Sequence, residues 1–132
     1  DFYGLRNENR NLMSTNGTAK IMEEIIINLN YSVENINIKK CLSRTLIKEL
    51  VAKDPNNQIE GFLGEGIPEN TPYWSKAGLT SKVRHDAAWW SINEDNHTLL
   101  VVFGNSAKLA QNKSFLPLIA REIYNYNLAN LD

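Results

Sequence analysis

The sequence predicts an α+β fold: an antiparallel sheet of three strands with helices packed on one face, in the order ααβββα. Three observations carry this. Two helix-periodic stretches come first, at about 14–29 and 34–53. Three β-rich runs separated by short turns follow, at about 73–79, 84–92 and 98–103. A capped, strongly amphipathic stretch closes the chain at about 114–128. Consecutive strands joined by short turns pair as an antiparallel meander, and helices clustered before and after one belong to the α+β class.

Each element has a local cause. Ser14 or Thr15 offers a side-chain oxygen to free backbone N–H groups at a helix start. Thr18, Met22, Ile25 and Leu29 then follow helical spacing, with Ile21 and Ile26 widening the stripe. Asn28-Leu29-Asn30 reads as the end, and residues 1–13 as polar loop. In the second helix Ile38, Cys41, Leu42, Leu46, Leu50 and Val51 form one apolar face, which Asp54-Pro55-Asn56-Asn57 ends. IEGFLGEGIPENT (59–71) holds three glycines and a proline and reads as a structured loop. Asn93–Asn96 turns the second strand into the third, TLLVVF, which Gly104-Asn105 closes. Ser114 is placed to cap the last helix, with Pro117 in its first turn, where a missing N–H costs little. Phe115, Leu118, Ile119, Glu122, Ile123 and Tyr126 follow helical spacing and give it a strong apolar stripe.

Composition narrows the function. The 132 residues suit one domain over 1–132. A net charge of -1 without a basic stripe argues against nucleic acid. No apolar run approaches the ~20 residues of a membrane span. The one cysteine, Cys41, allows no internal disulfide and reads as a buried, inert thiol on the second helix. Two histidines and one cysteine without ligand spacing give no metal site, and the glycines at 61, 64 and 66 lack the lysine of a phosphate loop, so no cofactor is expected. The four Asn-x-Ser/Thr sequons read as chance matches in an Asn-rich chain. A Ser81–His85–Asp86 triad fails because adjacent strand residues point to opposite faces.

The informative stretch is PYWSKAGLTSKVRHDAAWW, 72–90. Lys76 sits in an apolar strand, costly unless its ammonium is paired, solvated by snorkelling, or lines a cleft. Gly78 weakens a strand unless something must approach the backbone. Arg84 is a fork-shaped donor suited to a carboxylate. Turn length decides whether they cooperate. A two-residue loop, Ser81-Lys82, puts Lys76 and Arg84 on opposite faces. A three-residue loop, Ser81–Val83, puts Lys76, Gly78, Thr80, Arg84 and Asp86 on one face, a cationic wall for a carboxylate-bearing ligand.

These residues resemble a family. Lys76-Ala77-Gly78, the strand Arg84-His85-Asp86-Ala87-Ala88, LLVVF and the final PLIAREIYNY resemble the C-terminal part of a class A β-lactamase-like serine hydrolase, of the penicillin-recognising group whose strand motif is Lys-Thr-Gly. Asn11-Leu12-Met13-Ser14 and the following helix resemble the segment where that fold leaves its helical domain. The resemblance spans about 9–127. It implies that Lys76 is the motif lysine, that the Leu79 backbone N–H forms half of an oxyanion hole, and that Gly78, Thr80 and Arg84 bind substrate. It also implies a β-lactam or peptidoglycan-like peptide as substrate and a periplasmic or extracellular setting. Ala77 stands where the motif has threonine. No Ser-x-x-Lys or Ser-Asp-Asn occurs in the chain, so the nucleophile is expected outside it, in a missing N-terminal half. Thr98–Phe103 would then be an open edge, which self-associates or pairs with that half. The rival reading is a non-catalytic α+β module that uses the cationic strand face to bind a carboxylate.

Overall fold

A computed structural model describes residues 12–27 and 33–131. The expected loop at 1–11 and the helix end at 28–30 lie outside the described residues. The order is α1 (Thr15–Ile26), α2 (Val33–Leu42), α3 (Lys48–Val51), a 3₁₀ turn (Leu63–Gly66), β1 (Tyr73–Leu79), β2 (Arg84–Ser91), β3 (His97–Gly104), α4 (Ala107–Gln111) and α5 (Phe115–Ala129). The strands form one antiparallel sheet in the order β1-β2-β3. This is the expected α+β meander with flanking helices, with one correction: helices cover both faces of the sheet.

On one face α1 packs Met22 and Ile26 against Ala87 and Trp89, with Leu42 of α2 and Leu99 and Val101 of β3 around them. On the other face lies the larger core. Tyr73, Ala77, Ala88 and Trp90 meet Leu63 and Ile67 of the loop and Leu116 and Ala120 of α5. β2 is therefore buried on both sides. Its sequence RHDAAWWS shows no apolar-polar alternation because neither face meets water. The two tryptophans point oppositely, Trp89 toward α1 and Trp90 toward α5.

Ser14 caps α1 as expected: its Oγ accepts the Gly17 N–H at 3.0 Å. Replacing Ser14 by Ala is expected to cost about 1 kcal/mol, read as a lower midpoint in urea unfolding with an unchanged slope. Met22 and Ile26 are buried as the spacing requires, whereas Ile21 stays exposed.

The second expected helix is two. The chain leaves α2 at Leu42, and Ser43 forms an antiparallel bridge with Trp74 at the outer edge of β1. The Arg44 N–H donates to Tyr73 O at 3.1 Å. Pairing with the sheet requires extended backbone, so the helix stops there and restarts at Lys48. Cys41 is correspondingly exposed, not buried.

The stripe of α5 is rotated from its expected position. Leu116, Pro117 and Ala120 are buried, while Leu118 and Tyr126 are exposed. Gly66 sets this rotation. A Cβ there would stand 2.3 Å from Pro117 O and 2.9 Å from Arg121 N, so the 3₁₀ turn lies directly on the α5 backbone. Ser114 precedes the helix but makes no side-chain cap; its own N–H donates to Asn112 Oδ1.

Candidate functional site

The hairpin register settles the question of the faces. The Thr80 N–H donates to Val83 O at 2.9 Å, leaving Ser81-Lys82 as a two-residue loop. Lys76 lies opposite Ala87, Gly78 opposite His85, and Ala77 opposite Asp86. Lys76, Gly78 and His85 thus share the α1 face, and Arg84 and Asp86 share the other. The single cationic face expected for Lys76, Gly78, Thr80, Arg84 and Asp86 does not form. The tight turn, whose Thr80 Oγ1 accepts the N–H groups of Lys82 and Val83, fixes the even parity.

Arg84 is drawn into the core, with 4% of its surface exposed. Its Nε donates to Ala110 O at 3.0 Å and its Nη1 to Gly61 O at 2.9 Å, and the guanidinium lies over the Phe62 ring. Its fork ties α4 and the 54–62 loop to the sheet. Gly61 is required for this contact: it has φ 75°, and a Cβ would stand 2.7 Å from Arg84 Nη1. His85 and Asp86 point to opposite faces, as strand alternation demands.

The outer edge of β1 gathers the remaining candidates. In an antiparallel ladder a residue turns its N–H and C=O together, toward its partner strand or away from it. Thr80 faces β2, so Leu79 and Ala77 face outward. Their neighbours bear this out. The Ala77 N–H donates to Gln58 Oε1 at 3.4 Å, and the Lys76 ammonium donates to Ala77 O. Farther back, Tyr73 O accepts from Arg44. No partner is present for the Leu79 N–H among the described residues. Lys76, Leu79 and Thr80 are exposed and Gly78 is half-buried. A Cβ on Gly78 would meet only His85 Cβ, at 3.9 Å, so packing within the chain does not demand a glycine there.

The family model described as the beta-lactamase enzyme family matches residues 1–127. The chain belongs to that family. A search of curated proteins finds no match. The family is one of β-lactamase-like serine hydrolases, and the α+β sheet with its flanking helices is consistent with its fold.

In this beta-lactamase family chain a buried polar cluster lies behind the β1 edge. Asp86 is fully buried, and its Oδ2 accepts the Leu63 N–H at 3.0 Å. Burial pushes its carboxyl up to about 7, against the lowering pull of the Leu63 and Ala87 N–H groups and of the Lys76 and Arg44 charges. Burial, and next the Asp86 charge, push the Tyr73 phenol well above its usual value. A cavity of about 420 Å³ lies elsewhere: Leu46, Val51, Ile59 and Ile67 line it beside Lys48 and Lys113. None of the candidate site residues borders it. No helix of the described residues is long and apolar enough to cross a membrane. Sequence reasoning missed Gln58 and Arg44, which no motif marks. Both act only because the chain at 43–44 and 58 folds back along β1.

Proposed function

We propose that this chain is the C-terminal segment of a penicillin-recognising, class A-like serine hydrolase, and that the outer edge of β1 is the ligand wall of its site. The observation that carries the reading is the outward Leu79 N–H, without a partner among the described residues, on the same strand edge as the Ala77 carbonyl that holds the Lys76 ammonium. In the proposed chemistry a serine supplied from outside this chain attacks the carbonyl carbon of a β-lactam or peptide. The carbonyl oxygen gains charge, and the Leu79 N–H, as half of an oxyanion hole, stabilises it. The C–N bond breaks, its nitrogen takes up a proton, and water later cleaves the serine ester. Lys76 holds the ligand carboxylate and makes the local potential positive. Gly78 lets the ligand approach the backbone, and Thr80 borders it. Arg84 contributes from within the core, because its donors are engaged by Gly61 and Ala110. The family implies a periplasmic or extracellular site of action.

The nucleophile is proposed to lie N-terminal to this chain, since no serine here begins Ser-x-x-Lys. That same lack favours one rival, a non-catalytic module that binds carboxylates on the same edge. Labelling of the full-length protein by a fluorescent penicillin separates them. The hydrolase reading expects covalent labelling, lost in Lys76→Ala and slowed in Gly78→Ala, with the fold of the glycine variant intact because its Cβ has room. An upstream sequence lacking Ser-x-x-Lys, or a wild-type protein that never acquires label, would overturn it.

The outer side of β3 carries no partner strand among the described residues. We propose that it pairs with the N-terminal half, and that the isolated chain self-associates there. Size-exclusion chromatography of the isolated chain should show mass rising with concentration. A monodisperse monomer at high concentration would count against this pairing.

A further inference from the structure

Apart from the Leu79 N–H, the outward polar groups of Ala77 and the Tyr73 carbonyl are met by other parts of the chain, and one side chain meets them with capacity to spare. The N–H and C=O of Ala77 point outward together. Gln58 Oε1 sits on the N–H, and the Lys76 ammonium sits on the C=O. The Gln58 carboxamide and the Lys76 ammonium therefore flank the two polar groups of a single residue.

The orientation of the Gln58 amide is set by two donors. Its Oε1 accepts from Ala77 N and, at 3.5 Å, from Arg44 Nη2. Arg44 is itself held, its Nη1 donating to Cys41 O at 2.7 Å and to Ser43 O at 3.1 Å. With both donors on Oε1, the amide must present its NH₂ on the other side. Nε2 makes no hydrogen bond among the described residues, and Gln58 is half-buried, so its rotamer is restricted. The backbone around it is also fixed, because Asn57 Oδ1, just before it, accepts the N–H groups of Ile59 and Glu60, just after it.

We propose that Gln58 is a ligand-binding residue of this site: its Nε2 donates to a carboxylate oxygen of the ligand, alongside the Lys76 ammonium. A neutral donor preset beside a cation suits a carboxylate, whose two oxygens can accept from both at once. This inference rests on the proposed function for the location of the ligand, and adds the residue that recognises its acid group.

Gln58→Glu isolates the claim. Glutamate keeps an oxygen for Ala77 N and for Arg44, so the edge stays folded, but it replaces the NH₂ donor with a second anionic oxygen. In the full-length protein this change is expected to raise KM, or to slow penicillin labelling at low concentration, by tenfold or more. The maximal acylation rate and the unfolding midpoint should change little. A rise in KM accompanied by a matching loss of thermal stability would indicate a structural role and overturn the inference, as would an unchanged KM.

A second measurement does not need the nucleophile. The 132-residue chain, with ¹⁵N label, is titrated with benzylpenicillin and, separately, with N-acetyl-alanyl-alanine. Concerted shifts of the Gln58 side-chain NH₂ and the Leu79 amide support the inference. A Leu79 shift while the Gln58 NH₂ stays fixed overturns it and leaves the proposed site standing. Failure of both to move overturns it together with the placement of the ligand on this edge.

Discussion

Replacing Arg84 by Met should lower the stability of this chain by about 3 kcal/mol, or the melting temperature by roughly 10 °C. The guanidinium is almost wholly buried and bonds two backbone carbonyls that come from distant parts of the chain, Gly61 and Ala110. Methionine fills a similar volume and recovers the desolvation of the charge. It leaves both carbonyls without a donor, each worth about 1–3 kcal/mol when buried. Arg84→Lys should recover only part of the loss, since a single ammonium cannot reproduce the planar fork that spans both acceptors. Chemical denaturation of the three proteins checks this. A methionine variant as stable as the parent would show that the two bonds merely offset the cost of burying the charge. The lysine variant then separates loss of charge from loss of geometry.

Arg84 also shows where the sequence misleads. Its place three residues before the alanines of β2 and its chemistry both suggested a ligand contact. One parity step reversed that. With Ser81-Lys82 as the whole loop, Lys76 and Arg84 fall on opposite faces, and turn length was the quantity that composition and periodicity could not supply. The strands themselves were legible because β-branched and aromatic runs bounded by turn residues have few alternatives. The break between α2 and α3 was not, since the apolar spacing of Ile38, Cys41, Leu42 and Leu46 continues through it. Tertiary pairing of Ser43 with Trp74 overrides that spacing. The stripe of α5 was misplaced for a related reason. Gly66 chooses which ridge of the helix is buried, and no periodicity within 115–129 records a glycine nearly fifty residues away. The lysine and glycine of the β1 edge were readable as anomalies in a strand. Gln58 and Arg44 were ordinary loop residues until the fold laid them beside Ala77.

Asp86 supplies a pH dependence whose sign is opposite to that of a salt-bridged carboxylate. Its carboxyl is raised from an unfolded value of 3.8 to about 7, first by burial, against the Leu63 and Ala87 N–H groups and the Lys76 and Arg44 charges. The folded chain therefore holds a proton that the unfolded chain has already released between those two values. Stability contributed by this group is complete below pH 3.8, falls as the pH rises toward 7, and is level above it. Three pH units at about 1.4 kcal/mol each set the scale at about 4 kcal/mol. Asp86→Asn retains an oxygen for the Leu63 N–H and cannot ionise. Near pH 4 the two proteins should be about equally stable, and at pH 8 the asparagine variant should be the more stable by several kcal/mol. The difference between their unfolding curves cancels every other titrating group that the two share. Parallel curves from pH 4 to 8 would mean that Asp86 does not titrate in this window, and that the buried carboxylate stays charged through its Leu63 contact and the nearby cations. A sloping difference would mean that, at neutral pH, protonation of a single core carboxyl determines how firmly Leu63 is held against β2, the strand paired with the one that carries Lys76 and Leu79.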